Sequence, residues 1–133
     1  MARFLSDEWF GEVNRLAPTV PDDLDVIVEQ HVAGGPGGDV AYQVRVAGGR
    51  LTVGRVGRVG RVGAAGPPQD PDVVLLLDYA TAAALGTGRL TAHDAFLTGR
   101  IRLRTGVSQL ERAATALAAL APSLAALAGS TTY

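Results

Sequence analysis

Cysteine and lysine are both missing from the 133 residues. Without a thiol the chain has no disulfide, no thiolate metal site, no iron–sulfur cluster and no cysteine nucleophile. With two histidines, His31 and His93, a three-imidazole zinc site cannot be assembled from side chains either. Aromatic residues make up 5% of the chain. None of them lies among Arg55, Arg58 and Arg61, so those arginines lack the stacking partners that single-stranded nucleic acid needs. The 12 basic residues, all arginine, are nearly cancelled by 13 acidic ones, which leaves no global field toward nucleic acid or an anionic membrane. The opening residues Met1 to Glu8 turn acidic before an apolar run develops. No stretch of about 18 apolar residues is free of charges or breakers. These absences predict a soluble, cytoplasmic protein with no nucleic-acid partner and no stable membrane insertion. Arginine without lysine, beside alanine and glycine tracts, reads as codon bias toward G and C and looks bacterial.

What is present suits one globular domain over residues 1–133: 47% hydrophobic and 19% charged residues support a core, and the length is short for two domains. Ser6 is placed to cap a first helix whose stripe is Trp9, Phe10, Val13 and Leu16, ended by Pro18 and Pro21. Leu24, Val26, Val28 and Val32 alternate with Asp25, Glu29 and His31 as in a half-buried strand, with Ile27 and Gln30 as exceptions to the alternation. The glycine-rich loop 34–38 joins it to a second strand, Val40 to Val46, and Gly48-Gly49 turns the chain into a third around Leu51–Val53. The Gly-Arg-Val triplets of residues 54–63 have period three, which conflicts with a strand's period of two and predicts poor registry or a loop. Asp72–Asp78 is apolar on both faces and reads as the central strand. Asp78 caps a short alanine-rich helix to about Leu85, and Thr91 caps another that ends at Gly99. Ile101 and Leu103 alternate with arginines in a fifth strand. The closing helix, from Val107 or Ser108, carries leucines at 110, 117, 120, 124 and 127 with almost no charge opposite, and Pro122 is expected to kink or split it.

Catalytic residue patterns are sparse. No serine sits in a nucleophile elbow, no phosphate loop is present, and the Gly86–Arg89 turn follows a helix where a dinucleotide loop would follow a strand. Asp78 and Arg100 are explained as a cap and a surface charge. No catalytic residue, metal ligand or cofactor is assigned.

The segments Asp72–Leu77, Gly86-Thr87-Gly88-Arg89-Leu90 and Ala95–Gly106 together resemble the sterol carrier protein type 2 family. With the preceding hairpin and the closing helix the resemblance extends over roughly residues 20–128. It implies an α+β fold: a curved, mostly antiparallel five-stranded sheet with four or five helices covering one face around an apolar cavity. The implied function is non-catalytic binding or transfer of an apolar small molecule, such as a fatty acyl chain, a sterol or a polyketide. A cofactor-free cyclase or isomerase using the same cavity and a structural or oligomerisation module are the alternatives. Tyr42, Val44, Val53, Leu75 and Ile101 from the sheet and Phe10, Phe96 and Leu97 from helices are the expected lining. The stripe Leu117, Leu120 and Leu124 lies over the cavity or against a second copy in a homodimer, and Pro122 favours a hinged lid. The missing ligand clusters lead to one measurement: metal analysis of protein purified without an affinity tag gives less than one zinc or iron per chain, and one bound transition metal per chain would overturn the reading.

Overall fold

In a computed structural model, residues 2–16, 20–36, 38–56 and 70–133 are described. A two-residue strand β1 (Ala2–Arg3) precedes helix α1 (Asp7–Leu16). Ser6 caps the helix as expected: its Oγ accepts from the Trp9 N–H at 3.2 Å, and Asp7 and Glu8 occupy the dipole-favoured first turn. Strands β2 (Val26–Gly35), β3 (Gly38–Ala47) and β4 (Arg50–Arg55) form an antiparallel meander. The first two reach further into the glycines than alternation suggests. A register shift between Val32 and Gly35 absorbs the extra residue, and Asp39 Oδ1 accepts from the Gly34 N–H at 3.0 Å.

Strand β5 (Val73–Asp78) then pairs in parallel with β2, and β6 (Arg102–Thr105) pairs antiparallel with β5. The order β4-β3-β2-β5-β6 makes an open, mixed five-stranded sheet. Its centre is therefore β2, not the Asp72–Asp78 run. An unbroken apolar run reports cover on both faces, whereas position in the sheet follows from strand pairing: β5 is also paired on both edges but has only β6 beyond it, while β2 has two strands on either side. The arginine triplets begin as strand through Arg55, and residues 57–63 lie outside the described residues.

Among the described residues four α-helices complete the fold, with α2 (Tyr79–Gly86), α3 (Ala92–Leu97) and α4 (Leu110–Leu127) following α1. Asp78 Oδ1 accepts from the Thr81 N–H at 2.7 Å and Thr91 Oγ1 from the Asp94 N–H at 3.1 Å, so both predicted caps are made. The hydrogen bonds from Thr81 hold the Asp78 carboxyl below its ordinary range, with a lesser contribution from the Arg100 charge. Arg100 itself donates to Thr81 Oγ1. Gly106, at a φ of 92°, turns the chain out of β6, and a side chain there would run into the Asp72 backbone.

Helix α4 is one continuous helix with Pro122 inside it, so the expected split does not occur. Residues Val107–Ser130 are long and apolar enough to cross a membrane by length and composition, contrary to the expectation that charges and breakers prevent it. In the fold, Ala113, Ala116 and Leu120 of this helix are buried in the domain core. The chain beyond it pairs: β7 (Thr131–Thr132) lies parallel to β1, the Phe4 N–H donates to the Thr132 carbonyl at 2.8 Å, and the Tyr133 ring sits 4.8 Å from that of Phe4. Two-residue strands carry no alternation, which is why this pairing is invisible in the sequence. It ties down the segment after Pro122, so a lid hinged there would have to break it.

Inward residues of the sheet, among them Val26, Val28, Val32, Val44, Val46, Leu51, Val73 and Leu75, form one core with α1, α2 and α4. Helix α1 also closes a sheet edge. Asn14 Nδ2 donates to the Val53 carbonyl at 2.8 Å, and its Oδ1 accepts from the Val53 N–H at 2.7 Å. The side-chain amide thus takes the place of a neighbouring strand on the unpaired side of β4. Replacing Asn14 by leucine leaves both backbone groups without partners and is expected to lower unfolding free energy by about 1–3 kcal/mol, read from urea denaturation. A loss below about 0.5 kcal/mol, the low end for a single hydrogen bond, would show that the edge finds other partners.

Candidate functional site

Between the inner face of the sheet and helices α2, α3 and α4 lies a cavity of about 920 Å³, at the upper end of the roughly 300–1,000 Å³ usual for small-molecule sites. The reason for the space is readable on α4. It presents Ala114, Ala118, Ala121 and Ala125 to the cavity, and α2 adds Ala82, so short side chains stand where larger ones would fill the gap. Larger apolar residues, including Leu85, Leu90, Phe96, Leu110 and Leu117, complete the wall.

Burial is graded along the cavity. Phe4, Trp9, Gln30, Tyr42, Ala82 and Leu120 are all buried and make its inner end. Thr91, His93, Leu97, Glu111, Ala118 and Ala125 are exposed and make its outer end, between α3 and α4. Leu97 is 72% exposed there, an apolar rim in water.

Of the residues proposed from the sequence, Tyr42, Phe96, Leu97, Leu117, Leu120 and Leu124 border the cavity. Phe10, Val44, Val53, Leu75 and Ile101 are core residues that do not border it. Val53 is held under α1 through Asn14, and Phe10 stands behind Tyr42 with ring centroids 5.4 Å apart. Sheet alternation identifies which side chains point inward, and it does not tell a packed position from one facing a void. Sequence reasoning omitted Phe4, Trp9, Gln30, Leu85 and Leu90. Gln30 had a signal, as the polar exception on the apolar side of β2.

The inner end carries no charged side chain among the described residues. Burial pushes the Tyr42 phenol well above its ordinary pKa. Trp9 forms an edge-on pair with Phe4 at 4.9 Å, and its indole N–H is buried without an acceptor among the described residues. No arginine borders the cavity among those residues either. Arg55, next to Tyr42 in the β3–β4 register, donates to the Leu5 carbonyl at 2.8 Å and lies 3.8 Å from Asp7. The histidines stand apart: His93 is at the outer end, and His31 is on the opposite sheet face, 2.7 Å from Glu29. This arrangement suits enclosure of an apolar molecule, and the described residues offer no aligned acid and base within the inner end.

No family model matches the chain, and no curated protein matches it in sequence. Solved structures do. A crystal structure of sterol carrier protein 2 superposes with a TM-score of 0.66 at 18% identity, covering 92% of this chain and 98% of that one. The fold is that of sterol carrier protein 2. A conserved hypothetical protein from Thermus thermophilus, named as a candidate sterol carrier protein, has a TM-score of 0.59 at 19% identity over 92% of this chain and 80% of its own. The palmitated form of sterol carrier protein 2 like 2 from Aedes aegypti gives 0.54 at 20% identity, covering 89% and 88% of the two chains. At these identities the shared property is the sterol carrier fold itself.

Titration tests the electrostatics of the inner end. Tyr42 holds its proton more tightly folded than unfolded, so its contribution to stability is complete below the ordinary phenol pKa of about 10 and is lost as pH rises above it. Wild type is expected to lose stability above about pH 10 more steeply than Tyr42→Phe, in urea unfolding followed by tryptophan fluorescence. Tyr133 is also raised, chiefly by burial, so the difference between the two proteins is the readout. Equal slopes would show that Tyr42 ionises freely in the folded state.

Proposed function

We propose that this chain binds an apolar small molecule in the cavity and carries it without transforming it. The carrying observation is the cavity's form: about 920 Å³ of mostly apolar-lined space, buried at one end and opening between α3 and α4 at the other. A fatty acyl chain, a sterol or a polyketide has the matching chemistry. The sterol carrier fold supports the reading, and so does the palmitated state named for the Aedes aegypti structure. The magnitudes agree as well. Burying about fifteen methylenes, a long acyl chain, yields roughly 12 kcal/mol at 0.8 kcal/mol each, and association takes back about 4 kcal/mol at its low end, which leaves micromolar affinity.

Titration with fluorescent fatty acids and sterol analogues is expected to saturate in the micromolar range. Ala121→Phe, which places a ring in the cavity from an exposed position of α4, should weaken binding about tenfold or more, the equivalent of losing roughly two methylenes of burial, while thermal unfolding changes little. Absence of saturable binding in wild type would overturn the proposal.

A further inference from the structure

The inner end of the cavity contains more hydrogen-bonding capacity than an all-carbon ligand could use. Gln30 and Tyr42 are directly opposite in the β2–β3 register and both point into the cavity side of the sheet. They are 3% and 7% exposed as residues, and both line the cavity. Trp9, in the same wall, adds an indole N–H that is buried and unpartnered among the described residues. Buried polar side chains are ordinarily hydrogen-bonded, and leaving one unpaired is costly. Gln30 and Tyr42 stand out because the flanking positions on the same face, Val28, Val32 and Val44, are fully apolar and buried. Leucine or phenylalanine would have continued that pattern.

We propose that Gln30 and Tyr42 receive the uncharged, oxygen-bearing end of the ligand, a hydroxyl or a carbonyl, so that the molecule lies head-inward with its apolar tail toward α3 and α4. This rests on the carrier reading above and adds the ligand's polarity and direction. A glutamine amide both donates and accepts, and so does a phenol. The pair therefore satisfies a hydroxyl, which needs one of each, or a carbonyl, which needs donors. A carboxylate is disfavoured at this end. No cation borders it among the described residues, since Arg55 is turned to the Leu5 carbonyl and Asp7, and an unpaired buried charge costs far more than an unpaired dipole. The exposed end, with His93 in its rim, leaves an ionised head in water.

The test uses displacement of bound 1-aminoanthracene by chain-matched competitors: tetradecane, 1-tetradecanol and myristate at pH 8. The expected result is that 1-tetradecanol displaces the probe at roughly tenfold lower concentration than tetradecane, the effect of one or two net hydrogen bonds. Tyr42→Phe and Gln30→Leu should each remove most of that advantage, read within each variant as the ratio of the alcohol's to the alkane's displacing concentration. As a measurement independent of the variants, the Gln30 side-chain amide resonances in a ¹H–¹⁵N spectrum should shift with 1-tetradecanol and stay in place with tetradecane. If the probe binds saturably but alcohol and alkane compete equally, with the Gln30 resonances unmoved, the head-inward arrangement is overturned, the polar groups are served by trapped water, and the carrier function stands. If the probe does not bind at all, both readings fall together.

Discussion

Strand β2 is hydrogen-bonded on both sides, antiparallel to β3 and parallel to β5, and the orientation of every other layer depends on that double pairing. An antiparallel neighbour needs only a tight turn, whereas a parallel one requires the chain to travel back across the sheet. The meander β2–β3–β4 therefore occupies one half, and β5 and β6 the other. Register is tightly constrained here because the two faces differ. Val26, Val28, Gln30 and Val32 face the core, while Glu29 and His31 face outward, where Glu29 accepts from Gln43 across the pair and meets His31 at 2.7 Å. A slip of one residue would bury the glutamate and histidine and expose the valines.

Helices then cover the inner face unevenly, and the unevenness is the candidate function. Over β3 and β4, α1 packs Phe10 and Val13 into a dense core and closes the sheet edge with Asn14. Toward β2 and β5 the cover is α2 and α4, which set Ala82, Ala114, Ala118, Ala121 and Ala125 among the leucines that face the cavity. An alanine-rich helix keeps its own backbone hydrogen bonds without help from large side chains, so it can stand away from the sheet without collapsing onto it. The pairing of β1 with β7 and the contact of Tyr133 with Phe4 hold the far end of α4 in place, which keeps the cavity walls apart.

Much of this was legible in order along the chain. Caps at Ser6, Asp78 and Thr91, the Gly48-Gly49 turn, and the alternation of β2 and β3 are local signals with local causes, and each appears where its residues predict it. The central strand was misplaced because hydrophobicity measures burial and not neighbours. Pro122 was given too much weight: a proline inside a helix costs a hydrogen bond, yet packing of Leu120 and Ser123 on either side keeps α4 continuous.

For the cavity the division is sharper. Periodicity and turn residues alone predicted five strands, short helices and a closing helix with too little polar surface, because those properties follow from residue type and spacing, while the α+β class was implied by the family resemblance. Which inward side chains border the cavity was decided only in three dimensions. Val44 and Tyr42 share a strand face, and one is sealed in the core while the other borders the void. The difference comes from the helix that happens to lie above each, a long-range pairing that no local pattern encodes. Gln30 stands between the two cases: its break in the pattern is written in the sequence, and its meaning appears only when Tyr42 is brought opposite it at the closed end of the cavity.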